Sequence, residues 1–202
     1  MASFARLRFA GCLTAAVVLI LPVGALASSN KCPLTTIKAL KIDVNAESEG
    51  GNAARSGCTL GTKAVYPARD PSCTPGASNP SVTLETLKDP RFRTSCLRNM
   101  ATSEKAKGVT YDWYSVPHPS KAKVRTCELD HLVPLELGGA DTLDNIWPQC
   151  GMDPQTQEIY FQTKDKVETC VAKMAKDGSV DLDAARKDFE NNDWAKYVSQ
   201  CE

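Results

Sequence analysis

The stretch CELDHLVPLELGGADTLDNIWPQC, Cys127 to Cys150, carries one of only two histidines in the chain, directly after an aspartate. Val124, Leu129 and Leu132 flank polar residues in a strand pattern over Val124 to Val133, which Pro134 and then Gly138-Gly139 end. Asp144-Asn145-Ile146-Trp147 resumes an apolar run before Pro148. Two short strands around a glycine turn predict a β-hairpin-like unit. Beyond it the period changes. Tyr160, Thr163, Val167, Cys170, Val171 and Met174 recur at three- and four-residue spacing, and Gly178 supplies a stop. Asp181 then caps a second helix with Leu182, Ala185 and Phe189 on one face. The expected order is strand, turn, strand, helix, helix, an α+β arrangement.

Hydrolysis of a phosphodiester needs a nucleophilic water and compensation for charge on the leaving oxygen, which one divalent metal and one general base supply together. Asp130 offers a hard oxygen ligand suited to magnesium, and His131 is a proton acceptor when neutral. Adjacent side chains of a strand face opposite sides. A working Asp-His pair is therefore expected at a twisted or bulged strand end running into Pro134. Asn145 is placed to hold the histidine loop by a side-chain hydrogen bond to its backbone.

Asp130-His131-Leu-Val-Pro134, Gly138-Gly139 and Asn145-Ile-Trp-Pro148 together resemble the DH…P…GG…N core of the HNH endonucleases, the ββα-metal nucleases. More narrowly, LDHLVPLELGG, NIWPQ, Lys164-Asp165-x-x-Glu168 and the upstream Thr74-Pro-Gly-Ala-Ser-Asn-Pro80 are similar to small exported HNH-like bacterial proteins. The resemblance runs from about Pro71 to Tyr197 and is strongest over Leu129 to Gln149. It implies that Asp130 is a metal ligand, that His131 is the base that activates water, and that Asn145 orients it. The implied cofactor is a divalent metal, Mg2+ first and Mn2+ next. The helix position expected to carry the final His or Asn of the motif falls on Ala172, which has no ligand atom. Glu168, one turn earlier on the same face, is the substitute ligand expected, with Asp165 after it. The competing expectation for Glu168 and Lys164 is an ordinary i,i+4 surface pair.

The expected architecture is a single disulfide-braced α+β domain with an HNH-like hairpin and helix core. Residues 1–27 read as an export signal, with Arg6 and Arg8, an apolar run from Cys12 to Leu21, and Ala25-Leu26-Ala27 as cleavage site. Residues 28–80 read as a loop-rich, cysteine-containing segment with a short strand at Ile37 to Val44, and 81–202 as the HNH-like domain. Gly108 to Tyr114 alternates like a strand and leads into an extended loop at Pro117-His118-Pro119. Cleavage leaves Cys32, Cys58, Cys73, Cys96, Cys127, Cys150, Cys170 and Cys201, an even count that suggests up to four disulfides in a secreted or periplasmic protein. Eight cysteines allow 105 pairings, so their connectivity stays open at this stage.

Lys and Arg total 24, matched by 24 Asp and Glu, but the signs are segregated. Lys88 to Arg125 holds nine bases against three acids, whereas Thr126 onward holds sixteen acids against seven bases. A basic block beside an acidic one suits a polyanion at one face and acidic ligands at the other, although a solvated basic face explains the same count. Glu136 reads as a solvated acid, with an acid supporting the metal ligands as the alternative, His118 as an exposed loop histidine, and Trp113, Trp147 and Trp194 as core. The leading expectation is a secreted endonuclease that cuts DNA, and RNA as a second substrate, with little sequence preference. An immunity or inhibitor protein is a conceivable partner. A catalytically degenerate HNH fold kept for binding, and a disulfide-rich effector acting on a partner protein, are the alternatives.

Overall fold

A computed structural model of the chain describes Cys32 and residues 55–98, 107–119 and 126–201. The expected export signal and the strand at Ile37 to Val44 lie outside the described residues. The described chain mixes helix with two small antiparallel hairpins, β1 (Gly61–Lys63) with β2 (Tyr66–Ala68) and β3 (Cys127–His131) with β4 (Ile146–Cys150). The helices are α1 (Leu84–Lys88), α2 (Val109–Trp113), α3 (Tyr160–Asp177), α4 (Leu182–Glu190) and α5 (Val198–Cys201).

The second hairpin falls where the glycine and proline punctuation predicts it. Its register pairs Cys127 with Cys150, Asp130 with Trp147 and His131 with Ile146. Pairing is regular through His131, so no bulge is needed at the Asp-His step; the strand simply ends there. In the connection, Leu135–Leu137 forms a single 3-10 turn closed by Gly138 in the left-handed region (φ 80°). Gly139 is obligatory for a different reason: a Cβ there would lie 1.8 Å from the Val133 carbonyl oxygen. Segment 76–79 tracks this connection, with Asn79 N–H donating to the Gly138 carbonyl (2.8 Å) and Ala140 N–H to that of Ala77 (2.9 Å).

Helix α3 packs across both strands of this hairpin. It ends at Gly178, which adopts φ 86°, and α4 begins at Asp181, whose carboxylate accepts from the Ala184 N–H at 2.8 Å. Val167, Val171 and Ala175 of α3 meet Leu182, Ala185 and Phe189 of α4 in the larger core cluster. A second cluster gathers Trp113, Tyr114, Leu132, Leu143, Ile146 and Trp147 behind the hairpin. All three tryptophans are buried, as expected.

The strand expected over Gly108 to Tyr114 is instead α2. Over so few residues, alternation of Val109, Tyr111 and Trp113 fits either period. The helix wins because it buries Thr110, Tyr111 and Trp113 together and hands Tyr114 to the core, where its hydroxyl lies 2.9 Å from Thr74 Oγ1. Four disulfides tie the elements: Cys32–Cys96, Cys58–Cys73, Cys127–Cys150 and Cys170–Cys201. All eight cysteines from Cys32 onward are paired, which fits a secreted or extracellular protein. Among the described residues no helix is long and apolar enough to cross a membrane.

Candidate functional site

Asp130 and His131 sit at the end of β3, where α3 crosses the hairpin, and their side chains diverge to different partners. Asp130 is buried; its Oδ2 accepts from Trp147 Nε1 at 3.1 Å and pairs with Lys164 Nζ at 2.8 Å. Trp147 is opposite it in the strand register, so the indole is delivered by cross-strand pairing rather than by chance. His131 turns toward the connection, with Nε2 2.8 Å from Asp141 Oδ1. Asp141 Oδ1 also accepts from Lys107 Nζ at 2.8 Å, and both of those residues are buried. Lys107 is therefore not part of a solvated basic face. Of the nine bases in that block, Lys105, Lys121, Lys123 and Arg125 lie outside the described residues.

Asn145 holds the loop that follows His131, as expected from its spacing. It is fully buried, its Oδ1 accepts from Val133 N–H at 2.9 Å, and its Nδ2 donates to the carbonyls of Val133 and Ala140, each at 2.9 Å. Every polar valence of the amide directed at the loop is spent on backbone, so Asn145 acts on the path of the chain and not on the imidazole itself. The Leu132 N–H adds a bond to the Asn145 carbonyl at 2.8 Å.

The pair Lys164 and Glu168 is not a surface pair. Lys164 is completely buried and Glu168 nearly so, because α3 turns this face onto the hairpin. The Lys164 ammonium contacts both Glu168 and Asp130 and donates to the His131 carbonyl at 2.9 Å. Burial pushes its pKa down, but the two carboxylates outweigh that and hold the ammonium charged. Burial raises the Glu168 carboxyl well above its usual range, with Lys164 opposing and Asp130 and Glu136 adding to the rise. Ala172, one turn on, is buried in the larger core cluster.

A cavity of about 140 Å³ opens beside these groups, lined by Glu128, Asp130, His131, Glu136, Asp165 and Glu168 together with Arg98. Glu136 is thus half-buried at a cavity wall and not on a free solvated face. Carboxylate oxygens of Glu128, Asp130 and Asp165 all lie within 4.8 Å of one another. This crowding leaves its mark on Asp165, whose pKa is raised by partial burial and then by the neighbouring Asp130 charge. Three carboxylates on converging elements offer hard oxygen donors, the ligand type that hard cations take. Glu168 borders the same cavity and contacts the Lys164 ammonium, and the acid grouped with Asp130 and Asp165 is Glu128.

Glu128 was readable in principle, since two residues before Asp130 on a strand is the same face. Asp141 and Lys107 carry no such signal, because their meeting with His131 is purely tertiary. Arg98 forms no hydrogen bond or ion pair among the described residues, although five acids line the same cavity. His118 is exposed, with Nε2 3.7 Å from Asp112 Oδ1 and its ring against Tyr111. Comparison of the chain with models of protein families, with curated proteins and with solved structures finds no match.

Proposed function

We infer that the protein is an exported, metal-dependent endonuclease of the HNH type that hydrolyses phosphodiester bonds of nucleic acid, DNA foremost. The observation that carries this reading is the convergence at one small cavity of a histidine, three mutually close carboxylates and an arginine. Asp130, Asp165 and Glu128 would hold the divalent cation, which supplies charge compensation for the leaving oxygen. His131 accepts the proton of the attacking water as the new oxygen–phosphorus bond forms and the ester bond breaks. Asn145 keeps the loop behind His131 in place, and Arg98 offers a guanidinium to the phosphate oxygens.

The test is nicking of supercoiled plasmid by purified, disulfide-intact protein in the presence of Mg2+ or Mn2+. Chelator and His131→Ala are each expected to abolish cutting while the circular dichroism spectrum is retained. Equal cutting by wild type and His131→Ala would overturn the assignment of the base.

One observation favours a second reading, a catalytically degenerate HNH-like fold kept for binding. Lys164 already compensates Asp130 and Glu168 from within the fold, so those two acids need no metal for their burial. On that reading calorimetry with Mn2+ detects no binding, and plasmid is left intact at every metal concentration.

A further inference from the structure

We propose that Asp141, itself held by Lys107, is the positioning residue of His131, keeping a proton on Nε2 and presenting the Nδ1 lone pair as the proton acceptor. The inference rests on the nuclease reading for its catalytic meaning, but its geometry stands apart from it.

Asp141 Oδ1 receives two groups at the same distance, 2.8 Å: Lys107 Nζ from the turn that opens α2, and His131 Nε2 from the end of β3. Asp141 and Lys107 are 1% and 4% exposed, so neither is exchanging this arrangement for water. An ammonium in contact keeps the carboxylate ionised, and an ionised carboxylate only accepts. The imidazole nitrogen facing it must therefore donate, which places the ring proton on Nε2. Nδ1 then carries the lone pair, and it has no hydrogen-bond partner among the described residues. His131 lines the cavity that Asp130, Asp165 and Glu128 also line. In hydrolysis the proton leaving water goes to Nδ1, Nε2 keeps its own, and the imidazolium so formed faces the Asp141 carboxylate. Lys107 ties this device to the chain upstream of the hairpin, so the base is oriented by three separate elements.

The test uses the full chain labelled with 15N-histidine, in mildly alkaline buffer. Only two histidines contribute, and His118→Gln assigns them. Wild type is expected to show His131 with an exchange-protected proton on Nε2 and a bare Nδ1. Replacing Asp141 alone would strand a buried ammonium, so the whole pair is replaced by apolar groups of similar size, Lys107→Met with Asp141→Leu, an exchange that buried ion pairs often tolerate. In that variant the protected Nε2 proton is lost, and kcat falls roughly a hundredfold or more while KM stays within about twofold. A proton found on Nδ1 in wild type overturns the proposal, as does an Nε2 signal indifferent to the double substitution or a folded double variant with wild-type kcat. If the double variant does not fold, the proton position in wild type decides alone. Wild type that cuts no nucleic acid removes the nuclease reading, and the nitrogen spectra still decide whether Asp141 sets the tautomer.

Discussion

Lys164 joins α3 to the hairpin, since one ammonium satisfies two carboxylates and the carbonyl of His131. Replacing it with methionine would leave Asp130 and Glu168 buried without their cation. Breaking a buried pair from one side costs about 3–5 kcal/mol, and Lys164→Met is expected to lower the urea midpoint accordingly, or to prevent folding. Glu168 has the opposite leverage. Its folded-state pKa is raised above the ordinary 4.5 by burial, so the folded protein holds a proton that the unfolded chain has already released. Stability therefore falls as pH rises from that ordinary value through the raised one. Glu168→Gln keeps an acceptor for Lys164 and removes the titration. A series of urea unfolding curves over this pH window should show a shallower decline for Glu168→Gln than for wild type; parallel declines would refute the assignment.

At the scale of elements, the hairpin connection is constrained from two sides. Its path is set by the buried Asn145 amide on one side and by close backbone approach at Gly139 on the other. Gly139→Ala inserts a methyl group where the Val133 oxygen stands. Overpacking of this kind costs about 1–3 kcal/mol or more, and because His131 ends the adjoining strand, the change is expected to depress both melting temperature and nicking. The junction between α3 and α4 depends on a smaller device. Asp181→Ala removes the N-cap bond to Ala184 and should cost about 1 kcal/mol, measurable by chemical denaturation with no effect on the nuclease assay. Both the Gly178 stop and the Asp181 cap are legible as local chemistry, since each depends on a residue and its immediate neighbours. The α2 segment alternates like a strand yet forms a helix, because five residues are too few to separate a period of two from one of 3.6.

Across the whole molecule, the disulfides join segments whose separations range from 15 residues, at Cys58–Cys73, to 64, at Cys32–Cys96. Cys170–Cys201 anchors α5 to α3, closing a separation of 31 residues. Loop-closure entropy assigns such a link about 2–4 kcal/mol, so Cys170→Ser with Cys201→Ser is expected to lower stability by that amount while β3, β4 and the cavity persist, readable as retained near-ultraviolet tryptophan signals. What the sequence by itself determined is whatever short-range chemistry specifies: the hairpin around Gly138-Gly139, the long amphipathic α3, its glycine stop, the Asp181 cap, the buried tryptophans, the Asn145 loop clamp and an even set of cysteines. Tertiary structure alone decided that Lys164 and Glu168 are buried, that Glu128 joins Asp130 and Asp165, and that Lys107 and Asp141 stand behind His131. The reason is physical: an i,i+4 acid-base pair or a lone lysine has the same local pattern in water as in a core, and only packing against a second element fixes the solvent it meets.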